Sequence, residues 1–538
     1  MIIVQQKPLK KIFEMTSNFE DLLVAGCDGC AAIVQAGGEK QAVVLKTLLN
    51  MHRKLGSKSN QKTKAISILR QCDKQIVTST LRPLIQDYDA IVSLACGAGV
   101  QTLADLFPDT VIIPANDTEF IGMHDTKEGK FYEMCRACGD CILFQTGGIC
   151  PITRCAKSLL NGPCGGQANG KCEVGGWEKD CAWILIYNRL NSRNRLDLFR
   201  KFRIPPDYRI SGHPREIGSE GEEKRAEEEE EVVVEHRERE AYSELMKQIN
   251  DGKFVFTGEL EPVKTTSLDE LIEGAKTLKE HVVAINITDN PTSFGYMNAL
   301  VPSYIIQREV GVEAVYQMTT RDRNRLALLS DVLAAGALGI KNILVLTGDH
   351  TTVGDTPQTK PVFDLDSATF TYMMRKVIDE GVDLKGNKIE DPPKFNIGIA
   401  AAPNADPLEP EILKIERKVN LGIDFIQTQC VYSVEQAKRF MDAAAYLKTP
   451  ILFGVAPFKS MAMMKWMIKF VPGIKVPEEV QERLHEAKKT SKEAFREENI
   501  EIFGKLVRDI RKTTDAAGIH MMAIGYEWIV PKIIERAL

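Results

Sequence analysis

Eight short apolar runs, separated by helical sequence, occupy the second half of this 538-residue chain and restrict its possible folds more than any other feature. They are FVFTGE (254–259), VVAINIT (282–288), EAVYQM (313–318), NILVLT (342–347), FNIGIAA (395–401), DFIQTQ (424–429), PILFGV (450–455) and HMMAIG (520–525). A brief apolar run rich in β-branched residues and bounded by turn signals reads as a strand covered on both faces, the usual state of a parallel strand. The stretches 323–337, 409–422 and 433–447 space their apolar residues as amphipathic helices do. Eight strand–helix units in about 285 residues match the count and length of a (β/α)8 barrel.

The first half is also α/β in character. Runs at 22–26, 64–69, 89–96 and 110–115 read as buried parallel strands, with a helix at 40–55. Gly97-x-Gly99 is half of a nucleotide-binding fingerprint and reads as a strand-to-helix turn. The expected organisation is a small α/β domain over 1–130, a Cys-rich module over 131–212, a linker over 213–250 and the barrel over 251–538. The linker assignment rests on 216–240, where 12 Glu face 4 Lys or Arg, because a block of like charges repels itself and stays solvated. After the cysteines, 182–202 reads as one amphipathic helix with a basic surface.

Twelve of the 13 cysteines precede residue 182, and eight of them fall between Cys135 and Cys181. Cys135-x2-Cys138-x2-Cys141 puts three thiols on one short loop, as three corners of an iron–sulfur cubane require. Cys150, Cys155, Cys164, Cys172 and Cys181 follow, so the module has thiols for two [4Fe-4S] clusters. Spacing alone does not say which four go together. Structural zinc is the alternative, although it more often takes two separated Cys-x2-Cys pairs. Cys27, Cys30, Cys72 and Cys96 lie at or just past predicted strand ends and could hold a third cluster, or be buried small residues.

A net charge of −5 leaves no basic footprint for nucleic acid. No run of 18 apolar residues suggests a membrane span, and the first residues carry too short an apolar segment for a secretory signal. A cytoplasmic location is expected, where thiols stay reduced and disulfides are disfavoured.

Barrel chemistry gathers at the carboxyl ends of the strands. Strand one ends in Glu259 and Glu261, of which only one is expected to point into the mouth and act as general acid. Strand four ends in Gly348-Asp349, strand six in Thr428-Gln429, and Lys418 on the preceding helix could neutralise a phosphate.

These residues carry a resemblance. Glu259 with Pro262, Gly348-Asp349, Thr428-Gln429 and Lys418-Val419 with Gly422 resemble motifs of the methylenetetrahydrofolate reductase family, a flavin-binding barrel. The resemblance implies Glu259 as the acid that opens the methylene bridge. It puts Asp349 beside pterin and flavin, Gln429 on the pterin and Lys418 near the flavin phosphate. Thr288, Gln317, Gly348 and Ala402 are implied as further cofactor contacts. Gln317 and Ala402 stand where better-known members carry histidine and tyrosine, which leaves FAD or FMN open. Residues 1–215 resemble the Cys-rich iron–sulfur partner subunit of such reductases in acetyl-CoA-pathway bacteria, through GGICPITRCAKSLLNGPCGG, KCEV and CAWILIYNRL. The pair implies reduction of methylenetetrahydrofolate, with electrons from a protein donor such as a ferredoxin or an NADH-oxidising flavoprotein. A pterin-binding methyl-transfer partner or an assembly subunit on a zinc scaffold is the alternative. A homo-oligomer or a larger redox complex is compatible with either.

Overall fold

The computed structural model describes residues 1–55, 62–211 and 239–538. Most of the Glu-rich run expected as a linker lies outside the described residues. The chain falls into two compact units, Met1–Cys138 and Gly139–Leu538, so the cysteine module from Gly139 onward shares a unit with the barrel. Among the described residues no helix is long and apolar enough to cross a membrane.

The first unit holds a four-stranded parallel sheet in the order Thr63–Ile68, Leu22–Cys27, Ala90–Leu94, Val111–Pro114. These are the four runs expected from the sequence, and Glu39–Leu55 is the expected helix. Leu22, Val24, Ala90 and Val92 pack under that helix with Leu45 and Leu49, while Leu23, Ala25 and Ile91 face Val77, Leu81 and Leu103 on the other side. Burial on both faces explains why these strands read as continuous apolar runs. A second sheet of Ile2–Gln6, Asn116–Asp125 and Lys130–Cys135 is antiparallel and was not expected. Asn116–Asp125 is largely polar and Lys130–Cys135 largely exposed, which leaves little hydrophobic pattern to recognise.

In the second unit eight strands close a parallel barrel, the last, Gly518–Met521, pairing with the first, Val255–Leu260. Seven strands lie within a residue or two of expectation; the eighth comes earlier than the expected 520–525, starting at Gly518. Gly518 is required there, because a Cβ on it would stand about 2.2 Å from the Val255 carbonyl oxygen. The barrel floor is apolar: Val255, Ala284, Val315, Leu344, Phe425 and Leu452 meet Leu245, Met246 and Ile249 of the helix Glu244–Asn250. That helix is capped by Ser243, whose Oγ accepts from the Met246 N–H at 3.1 Å and donates to Asn396 Oδ1 at 3.2 Å. It plugs the amino-terminal end of the barrel.

The stretch 182–202 is two helices, Ala182–Asn191 and Leu196–Arg200, instead of one with a basic surface. Trp183, Ile186, Tyr187, Leu190 and Phe199 are buried in one cluster with Leu413 of the barrel helix Glu409–Leu421. Arg417 of the latter is buried and donates to the carbonyls of Asn161 (2.9 Å) and Phe199. Asp366, which caps the helix Ser367–Arg375, also accepts from the Asn161 N–H at 2.7 Å. The module therefore shares buried polar and apolar contacts with two barrel helices.

Candidate functional site

Two residues along a strand return a side chain to the same face. The inward set continues from Val255 to Thr257 and Glu259, from Ala284 to Asn286 and Thr288, from Val315 to Gln317, and from Phe425 to Gln427, after which a bulge interrupts the alternation. Above the apolar floor this set is polar and hydrogen-bonded across the barrel. Asn286 and Gln427 exchange amide hydrogen bonds (2.7 and 3.1 Å), and Gln427 Nε2 donates to Thr257 Oγ1 at 3.3 Å. The Thr257 hydroxyl meets His520 Nδ1 at 2.9 Å, and His520 Nε2 lies 3.2 Å from Glu259 Oε2. Gln317 Nε2 donates to the same oxygen at 3.0 Å. With Glu259 ionised, His520 carries its proton on Nε2, and its Nδ1 accepts from Thr257.

Glu259 is thus a buried carboxyl at the barrel mouth with two donors on one oxygen. The same period-2 rule overturns the expectation that Glu259 and Glu261 point oppositely: both belong to the inward set. Burial, the neighbouring Glu259 carboxylate and an opposing hydrogen bond from Tyr296 bring the Glu261 carboxyl up to about 7.

Of the other expected residues, Thr288 is buried and its hydroxyl has no partner among the described residues. Gln429 holds its own strand end, its Oε1 accepting from the Cys430 N–H at 2.9 Å. Gly348 takes φ +84° and lies against Thr319 and Arg321, and its carbonyl, past the strand end at Leu346, is open to a donor. Asp349 has its carboxyl raised by burial, opposed by nearby Lys157 and Arg321. Ala402 donates its N–H to Glu411 Oε1 at 2.8 Å. Lys418 lies in the last turn of its helix, is buried, and forms no ion pair among the described residues. Burial and the neighbouring Lys414 lower it to about 7, against the pull of Glu411. An unpartnered hydroxyl and an unpaired buried ammonium suit a polar, phosphate-bearing cofactor such as a flavin.

Four of the eight module cysteines, Cys155, Cys164, Cys172 and Cys181, line one small cavity together with Lys157 and Trp183. Burial and the mutual repulsion of these thiols raise Cys155 and Cys181 to about 12 and push Cys172 up as well. An all-thiol set would suit an iron–sulfur cluster, in which metal would take the place of the protons. Cys150 and Cys181 each precede a helix start. Among the described residues no group of three or more His, Cys, Asp or Glu side chains is arranged to hold a metal ion. In the first unit Cys27 ends its strand, Cys30 opens a short helix and Cys96 precedes the helix Gly97–Leu106. Burial, Cys96 and Cys27 push the Cys72 thiol up, so these thiols are neighbours. Cys27 and Cys96 follow the two adjacent strands where the sheet order reverses, the position at which open α/β sheets bind ligands.

Sequence reasoning missed His520, Thr257, Lys157 and Glu173. Strand parity would have placed Thr257 under Glu259. The two in the module carry no local signal.

A family profile described as Methylenetetrahydrofolate reductase matches residues 244–538, more than half of the chain. The chain belongs to the methylenetetrahydrofolate reductase family. A second profile, described as Methylene-tetrahydrofolate reductase C terminal, matches residues 113–209 and so includes all eight module cysteines. Methylenetetrahydrofolate reductase 1 of Schizosaccharomyces pombe is 25% identical over 254 residues, which are 45% of this chain and 39% of the yeast protein. The chain therefore spans about two fifths of that relative's length. A 5,10-methylenetetrahydrofolate reductase of Salmonella typhimurium is 24% identical over 41% of this chain and 69% of its own. A solved Clostridium thermocellum protein, reported to bind two copies of 5-methyl-5,6,7,8-tetrahydrofolic acid, matches with a TM-score of 0.38 and 16% identity. That match covers 55% of this chain and 97% of the other.

Proposed function

We propose that the chain reduces 5,10-methylenetetrahydrofolate to 5-methyltetrahydrofolate, with Glu259 as the proton donor. The observation that carries this is the buried Glu259 carboxyl, aimed up the barrel by Gln317 and His520. On this reading a flavin supplies the hydride when bound, and thiol-held [4Fe-4S] clusters supply electrons singly from a protein donor. The residues of the chain do the rest. Thr288 and Lys418 offer a hydroxyl and a cation to the flavin, with Gln317, Gly348 and Ala402 as further contacts. Gln429 and Asp349 orient the pterin. Protonated Glu259 delivers its proton to the folate nitrogen that leaves the methylene carbon, so hydride meets a cationic carbon centre instead of a neutral aminal. His520 and Gln317 then stabilise the carboxylate left behind. Glu261, whose carboxyl burial and the neighbouring Glu259 raise to about 7, would serve as the adjacent proton store.

Cys155, Cys164, Cys172 and Cys181 are the best-supported cluster ligands, because they share one cavity. Cys135, Cys138, Cys141 and Cys150 are proposed as further cluster ligands by residue type, in no assigned grouping. Cys27, Cys30, Cys72 and Cys96 are proposed for a third cluster, supported by their position at the strand ends.

Glu259→Gln keeps the shape of the side chain and removes the transferable proton. It should lower methylenetetrahydrofolate reduction about 10²–10⁴-fold while flavin content and flavin reduction by dithionite stay at wild-type level. Loss of the reaction in Glu261→Gln with near-normal Glu259→Gln would move the donor role to Glu261. Iron and acid-labile sulfide, measured after anaerobic purification, test the clusters. Zinc with no sulfide would replace them by a structural scaffold.

A further inference from the structure

Lys157 belongs to the cysteine module, two residues after Cys155, yet its ammonium ends at the barrel mouth. It donates to the Gly348 carbonyl at 2.8 Å and pairs with Glu173 Oε1 at 2.6 Å. Both side chains are more than nine-tenths buried. Glu173 is fixed in its turn. It lies against Gly166, where a Cβ would come within 2.1 Å of its carboxyl, and its N–H donates to the Gly166 carbonyl at 2.9 Å. Lys157 also lines the cavity shared by Cys155, Cys164, Cys172 and Cys181. One buried cation therefore touches the four-thiol cavity, a buried carboxylate and the loop that carries Asp349. A solvated lysine loses little when moved; a buried one held by an anion and a carbonyl has a fixed address.

We propose that Lys157 is a positioning residue for folate binding: with Glu173 it clamps the Gly348 carbonyl and so holds the Asp349 loop where the pterin docks. The inference rests on the functional reading above and adds a specific link from the cysteine module to the substrate loop. It gives the module a second role, in setting the shape of the substrate site. The Gly348 carbonyl can be reached because Gly348 lies past the strand end at Leu346, outside the ladder. A methionine at 157 would fill the same space and offer the carbonyl nothing. An arginine would keep the charge and donors.

The test uses the full-length protein, purified without oxygen, as wild type, Lys157→Met, Lys157→Arg, Asp349→Asn and the Met–Asn double variant. The probe is tetrahydrofolate, which has no one-carbon unit and does not turn over; its affinity is read by titration calorimetry at matched iron content. Lys157→Met should weaken binding about tenfold, the effect of losing a buried charged hydrogen bond, and Lys157→Arg should recover most of it. The double variant should bind no worse than Asp349→Asn alone, because Lys157 acts through the Asp349 contact that this variant has already lost. Wild-type affinity in Lys157→Met with iron retained would overturn the proposal. So would losses that simply multiply in the double variant. If Lys157→Met fails to hold iron, the arginine variant decides: affinity close to wild type supports the clamp, and a tenfold loss at full iron overturns it. Absence of tetrahydrofolate binding in the wild type would instead defeat the functional reading itself.

Discussion

Above pH 7 the Glu261 carboxyl must sit as an anion in a half-buried place beside Glu259. Its folded value of about 7 lies above the ordinary 4.5, so the folded chain holds this proton more tightly than the unfolded one. The stabilisation is complete below about 4.5 and is lost as pH rises through about 7. The thermal midpoint of the wild type should therefore fall between pH 5.5 and 8.5 by more than that of Glu261→Gln, whose amide does not titrate. Equal slopes in the two proteins would rule this out. Lys418 makes the opposite kind of site, a cation lowered to about 7 by burial. It loses its charge as pH rises, and a neutral amine would hold a phosphate less well. FMN affinity of flavin-depleted protein, read by fluorescence quenching, should fall as pH rises above 7. Lys418→Met should bind about tenfold more weakly at pH 6 and show no such slope.

At the scale of elements, the barrel divides into an apolar floor and a polar mouth, and one helix seals the floor. Leu245 is fully buried on Glu244–Asn250, against Val255, Ala284 and Leu452 of three strands. Leu245→Ala would leave a cavity where the helix meets the floor and should destabilise the barrel by about 2–5 kcal/mol, seen as a lower thermal midpoint. Its site lies at the opposite end from Glu259, so folate affinity below the transition should be unchanged. The eight barrel strands were legible because each is covered on both faces and keeps an apolar run. The antiparallel sheet of the first unit was not, because Asn116–Asp125 is polar at most positions and Lys130–Cys135 is exposed on both faces. The single helix expected over 182–202 failed at Ser192–Arg195, where the chain turns through Asn194 at φ +53°. The spacing of its apolar residues survived the break.

Across the whole molecule, the cysteine module from Gly139 onward is packed with the barrel, although the Glu-rich run suggested separable halves. A chain of residues 241–538 would strip Arg417 of the Asn161 and Phe199 carbonyls and expose Leu413, which packs with Trp183 and Phe199. Arg417 then trades fixed acceptors for water, and the apolar surface around Leu413 loses its cover, which removes stabilisation in proportion to the area exposed. That chain should melt well below the intact protein and bind tetrahydrofolate more weakly. A midpoint and an affinity equal to those of the full chain would show that module and barrel are energetically independent.

The sequence by itself determined the strand and helix alternation, the parity that sends Thr257, Glu259 and Glu261 to one face, and the glycines that permit close approaches. Those properties depend on a residue and its near neighbours, and periodicity records them. Only the tertiary structure decided which four thiols share a cavity, that His520 meets Glu259 across 261 residues, and that Lys157 reaches Gly348 across 191. Such meetings are set by barrel closure and by the way the module packs on two barrel helices. No local spacing encodes them.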